Sequence, residues 1–145
     1  MAIQVKRAYE KPSPKDGARV LVDRLWPRGI SKADAKLEKW LRDLAPSDTL
    51  RKWYHDQENA SHFAEFRKRY LAELNAPAAA AALAELYDLA ARHQTVTLIY
   101  GSKNEEQNNA TVLRDLLSGM RKPPSSSGPG KALASGRRNR ARASK

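Results

Sequence analysis

The sequence predicts an α/β protein: a single small domain with a three-stranded, mostly parallel sheet flanked by about five helices, followed by a disordered basic C-terminal tail. Three observations carry that prediction. Short aliphatic and β-branched runs stand at residues 3–8, 19–25 and 95–100. Between the second and third runs, apolar residues recur at helical spacing, and strands joined through helices return in the same direction. Past about residue 120 the acids disappear and Pro, Gly and Ser separate the basic residues.

Taken in order, Ile3 to Ala8 reads as a strand, and KPSPKDG, with two prolines and Asp-Gly, as a loop. Arg19 to Leu25 is a continuous apolar strand that ends in charge. Ser31 stands as an N-cap with Asp34 three residues on, and Ala33, Leu37, Trp40, Leu41 and Leu44 follow at helical spacing, so a helix of about fourteen residues is expected there. Ala45-Pro46-Ser47 stops it and caps a short helix through Leu50, Trp53 and Tyr54. From Ser61 the positions Phe63, Phe66, Tyr70, Leu71 and Leu74 form one apolar face, and Pro77 suits the first turn of the next helix. Thr95 to Tyr100 is a strand by its β-branched content. Asn104 is expected to cap the last helix, with Glu105 and Glu106 in its first turn and Ala110, Leu113, Leu116 and Leu117 on its apolar side.

The 145 residues suit one core, and the absence of cysteine removes disulfides, thiol nucleophiles and thiolate metal sites. The N-terminal MAIQVKRAYEKPS reaches charge within six residues and lacks the apolar stretch of a secretory signal, so a soluble cytoplasmic protein is expected. The net charge of +11 is unevenly spread. Residues 1–120 hold 19 Lys and Arg against 16 Asp and Glu, whereas residues 121–145 hold 8 basic residues and no acid. The expected division is a domain over 1–120 and a tail over 121–145, since the tail cannot bury enough apolar surface to offset its chain entropy.

The stretch LVDRLWPRGI turns from buried strand to charge and then to Trp, Pro and Gly. In open α/β sheets, ligand sites lie beyond the carboxyl ends of the strands. LVDRLWPRGIS and TLIYGSKN are both loops of that kind, and parallel neighbouring strands would gather Asp23, Arg24, Arg28, Tyr100, Lys103, Asn108 and Asn109 at one edge. Two guanidinium forks suit phosphate or carboxylate, Trp26 would wall the site, and Asp23 would act as a base or hold an arginine in place. His55, beside Asp56 and aromatics, is the best histidine for acid-base work. The same residues also make a purely structural turn, with Asp23 in an ion pair, Trp26-Pro27 as a rigid corner and Gly29 placed for its backbone freedom. No His and carboxylate spacing points to a metal, GSKN lacks the glycine and lysine spacing of a phosphate loop, and the cofactor stays open.

DGARVLVDRLWPRGISK, APSDTLRKWYH with FAEFRKRYLAEL, and VTLIYGSKNEEQNNATVL together resemble the YeaO-like family of small bacterial proteins with a domain of unknown function. The resemblance covers residues 3–118 in matching order. It implies an α/β fold and shared polar positions, with no assigned reaction: Asp23, Arg24, Trp26, Pro27, Arg28 and Gly29; Ala45-Pro46-Ser47; Leu50, Arg51 and His55; Phe66 and Tyr70. Asn108 falls on a family position, and Asn109 stands where Asn or His is expected. The tail after about Gly119 lies outside it.

Two functions follow from these readings. One is a binder of an anionic or phosphorylated small molecule at the strand-end cleft, acting as an enzyme if Asp23 or His55 carries chemistry. The other is a nucleic-acid-associated accessory protein whose tail, through Lys131, Arg137, Arg138, Arg140 and Arg142, meets phosphates without sequence preference. Neither implies a membrane, and the oligomeric state is left open.

Overall fold

The computed structural model describes residues 2–57 and 62–120. Among them run β1 (Ala2–Arg7), β2 (Ala18–Leu21), α1 (Lys32–Ala35), β3 (Lys39–Trp40), α2 (Asp48–Gln57), α3 (Phe63–Glu73), α4 (Pro77–Arg92), β4 (Thr95–Tyr100) and α5 (Asn109–Met120). The chain divides into two units, Met1–Arg114 and Asp115–Lys145. Within the second, residues 115–120 are described and continue α5. The expected basic tail, and Ser61 from which the apolar helical face was expected to run, lie outside the described residues.

The sheet is α/β and wholly parallel, in the order β1-β4-β2-β3. It has four strands where three were expected. β4 lies between β1 and β2, and its sequence TVTLIY is buried from Val96 onward, as a strand covered on both faces requires. Val20, Leu21, Val22, Leu98 and Ile99 form the sheet's part of the core, with Leu86 of α4 buried as completely.

In place of the long helix expected after Ser31 stand α1, the two-residue fourth strand and a 3-10 turn at Arg42–Leu44. Ser31 does cap α1, its hydroxyl accepting from the Asp34 amide at 3.0 Å, but Lys36 turns left-handed at φ 49° and ends the helix after one turn. Glu38 N–H then donates to the Arg19 carbonyl and Leu41 N–H to the Leu21 carbonyl, at 2.7 and 3.0 Å. The open edge of β2 presented unpaired backbone groups, and pairing them outweighed local helical periodicity. For the same reason β2 is shorter than the expected strand through Leu25. Its partners β4 and β3 end at Tyr100 and Trp40, and beyond that level the chain has nothing to pair with.

At the amino end of β2 the chain closes tightly. Asp16, 3% exposed, receives Arg19 Nη1 at 2.6 Å and Lys6 Nζ at 3.1 Å, and its backbone carbonyl accepts from Thr97 Oγ1. Burial alone would raise its pKa, but the Ser13 amide, Lys6 and Arg19 outweigh that and hold it below the usual 3.8. Gly17 follows at φ 64°, where a Cβ would stand 2.2 Å from the Thr95 carbonyl oxygen, so only glycine passes.

Candidate functional site

At the carboxyl end of the sheet the register sets the geometry. Leu21 pairs with Ile99, so the next residues on each strand, Val22 and Tyr100, lead side by side into Asp23 and Gly101. Asp23 Oδ2 accepts from the Gly101 amide at 2.8 Å, and Oδ1 from Asn109 Nδ2 at 3.1 Å; the same Asn109 nitrogen donates to the Val22 carbonyl at 2.9 Å. Asp23 therefore ties the two strand-end loops together. Its pKa is raised, foremost by burial, although these two hydrogen bonds and the charges of His55 and Arg51 oppose the shift.

Around this floor opens a cleft of about 720 Å³, within the usual size of a small-molecule site. Among the residues expected to form a site, Asp23, Arg24, Trp26, Arg28, His55, Lys103, Asn108 and Asn109 all line it. Tyr100 does not. It is 2% exposed, at the end of a strand that is buried at every position from Val96 on.

The two arginines of the opening loop differ. Arg24 Nε and Nη2 donate to the carbonyls of Pro46 and Ala45, both at 3.3 Å, so two of its five donors are occupied in holding the turn before α2. Arg28 is exposed and makes no hydrogen bond or ion pair among the described residues. Neither pairs with Asp23, contrary to the expectation that Asp23 holds an arginine; its oxygens face the Gly101 and Asn109 donors instead. Trp26 does form a wall. Its Nε1–H donates to the Ile30 carbonyl at 2.6 Å, and its ring meets Trp40 edge to face at 5.3 Å, while Trp40 Nε1–H donates to the Asp23 carbonyl.

The expected cap of the last helix also moves. Asn104 Oδ1 accepts from the amides of Glu106 and Gln107 in a local turn, and Tyr54 Oη donates to the Gln107 carbonyl. Asn108 is the residue that caps α5: its Oδ1 accepts from the Thr111 amide at 2.9 Å, and Thr111 Oγ1 accepts from the Asn108 amide at 3.1 Å. Its side chain is structural first, at the edge of the cleft.

Among the lining residues that the sequence reading did not assign to the site, Arg51 and Tyr9 bear most on its chemistry. Arg51 stands one helical turn before His55 on α2, so a cleft residue at 55 implies another at 51. Its Nε is buried without a hydrogen-bond partner among the described residues, while its Nη2 reaches Asp48 at 3.4 Å. Tyr9 lies just beyond β1, whose end belongs to the same edge of the sheet as the other two loops. Among the described residues no His, Cys, Asp and Glu cluster could hold a metal, and no helix is long and apolar enough to cross a membrane. The nucleic-acid residues expected in the tail, Lys131, Arg137, Arg138, Arg140 and Arg142, lie outside the described residues.

Comparison with known proteins places the chain. The family model described as the inactive DUF488-N3 subclade matches residues 2–129. The chain belongs to that family. It is 45% identical over 118 residues to the uncharacterized protein YeaO of Escherichia coli, covering 81% of this chain and 97% of the relative. An uncharacterized protein of Mycobacterium tuberculosis H37Rv, Rv3073c, is 45% identical over 117 residues, covering 81% and 94%. The family match runs to residue 129, past the Gly119 limit of the resemblance read from sequence. No solved structure matches the chain significantly.

Proposed function

We propose that the strand-end cleft binds a small anionic molecule carrying a phosphate or carboxylate. The observation that carries this reading is the charge of the lining: Arg24, Arg28, Arg51 and Lys103 face it with Asp23 as the sole acid. An unoccupied cluster of four cations repels itself, and an anion relieves that repulsion. Arg28 and Lys103, exposed and without a hydrogen-bond or ion-pair partner among the described residues, meet the ligand; Arg24 and Arg51 hold the wall nearer Asp23. Binding is favoured over turnover on two grounds. The family is described as inactive, and both Asp23 oxygens are already engaged by donors.

Thermal shift of the full-length protein with inorganic phosphate and phosphorylated metabolites tests the reading. A ligand at a hundred times its dissociation constant adds about 2.7 kcal/mol. The expected outcome is a shift that disappears in the Arg28→Ala, Lys103→Ala double variant. Equal shifts in both proteins, or none from any anion, would refute it.

The charge distribution favours a second reading for the tail alone. With 8 basic residues and no acid, residues 121–145 are suited to weak, salt-sensitive nucleic-acid contact. We propose accordingly that residues 1–120 form the domain and that the tail adds affinity. Equal low-salt DNA affinity for full-length protein and a 1–120 truncation would dismiss this role.

A further inference from the structure

Resting on the anion-binding reading, we propose that the ligand is an organic anion with a flat apolar portion, held between Tyr9 and Leu25 at the mouth of the cleft, and not a bare inorganic anion. Tyr9 at 49% and Leu25 at 58% are the exposed large hydrophobic side chains among the described residues. Both line the cationic cleft, although they come from loops after different strands, β1 and β2. Scattered apolar residues on a surface need no explanation, but two that line one charged cleft do.

Tyr9 is also held in place. Arg7 Nε donates to the Ser102 carbonyl at 2.9 Å and its Nη2 to the Gly101 carbonyl at 3.5 Å, which fixes the guanidinium against the loop after β4. The Arg7 guanidinium carbon lies 5.0 Å from the Tyr9 ring centroid, so the ring is stacked on a cation already anchored by two carbonyls. A phenol kept in position beside solvent loses little conformational freedom on meeting a planar ligand. The size agrees: about 720 Å³ is far more than a phosphate ion fills and suits a molecule with a second, larger part. Exposed cations and an ordered aromatic lining one cleft together specify an amphipathic anion such as an aryl or heteroaryl phosphate.

The test compares four probes on the full-length protein by titration calorimetry: inorganic phosphate, ribose 5-phosphate, phenyl phosphate and adenosine monophosphate. The two phosphates with a flat ring system are expected to bind about tenfold more tightly than the two without, the effect of one aromatic contact. In the Tyr9→Ala, Leu25→Ala double variant that difference should vanish while ribose 5-phosphate binds as before. Both side chains are solvent-exposed, so the variant is expected to fold, and an unchanged melting temperature checks this. Binding of all four probes with equal affinity would overturn the apolar subsite and leave the anion reading standing; a double variant that keeps the tenfold preference would also overturn it. Absence of binding by every probe would remove the anion reading and this proposal with it.

Discussion

The strand β2 has an aspartate near each end, and the two are treated oppositely. Asp16, before the strand, is met by Lys6 and Arg19 in a closed ion-pair cluster. Asp23, after it, lies beside Arg24, in sequence reach of Arg28 and in the field of Arg51, yet its hydrogen bonds come from an amide nitrogen and an asparagine. One end spends its cations on its own acid. The other lines a cleft with cations that leave its acid alone, Arg28 and Lys103 among them without a partner among the described residues. An arginine near an aspartate in sequence therefore says little until the partner of each charge is known, and the proposed binding draws on the end whose exposed cations have no partner among the described residues.

The sharpest way to break this comparison is to damage the closed end. Arg19→Met leaves the buried Asp16 with Lys6 as its one cation and frees the Ala35 carbonyl that Arg19 Nε holds at 2.9 Å. A loss of about 3 kcal/mol is expected by urea denaturation, as for other buried pairs deprived of one member. Gly17→Ala should cost at least as much, because the added Cβ meets backbone that has no room to move. Full stability in either variant would mean the amino end is not the rigid one.

Titration distinguishes the two acids by sign. Asp16, with its pKa lowered from 3.8, contributes stability that is present above 3.8 and is lost as pH falls through its folded value. Asp23, with its pKa raised from 3.8, does the reverse: its charged form weighs against folding as pH climbs past 3.8 and through the raised value. Denaturation of wild type, Asp16→Asn and Asp23→Asn across acidic pH reads this directly. The advantage of wild type over Asp16→Asn should grow with pH, and its standing against Asp23→Asn should decline. The same sign in both would end the contrast.

How much of this was legible in the sequence follows the same division. The strand at Thr95 to Tyr100, Pro77 opening α4 and Ser47 capping α2 are local matters of propensity and capping, and each stands where the residues predict. The gathering of the 23–28 and 101–109 loops was also foreseeable, because parallel neighbours place their carboxyl ends together. What stayed hidden depended on partners distant in sequence. Trp40 and Leu41 fit a helix until the open edge of β2 is known to need them, and Asp23 reads as an ion pair until the Gly101 amide, 78 residues away, is seen to reach it. Arg51 and Tyr9 were within reach of the same rules applied once more, to the facing helix turn and to the third strand end.

A smaller effect is expected at Gly29, the counterpart of Gly17 in the open end. It too has positive φ, at 82°, but a Cβ there meets nothing within 4 Å. Gly29→Ala should cost about 1 kcal/mol, the backbone term without the clash. A penalty equal to that of Gly17→Ala would show the loop to be as confined as the closed end.

The smallest effect on stability belongs to Arg28, and it bears most on function. The side chain is exposed and holds no partner among the described residues, so Arg28→Ala should change the unfolding free energy by less than about 0.5 kcal/mol. Arg24→Ala is the control from the same loop. It releases the carbonyls of Ala45 and Pro46, both buried residues, and should cost about 1 kcal/mol. If Arg28 is a ligand contact, its removal lowers affinity for an anion about tenfold or more, as loss of a charge-assisted hydrogen bond does, while the melting temperature stays put. If it is only part of a solvated turn, both quantities stay put. A fall in stability with binding unchanged would assign Arg28 to the scaffold, and the distinction between a closed and an open end of β2 would then rest on Arg51 and Lys103 alone.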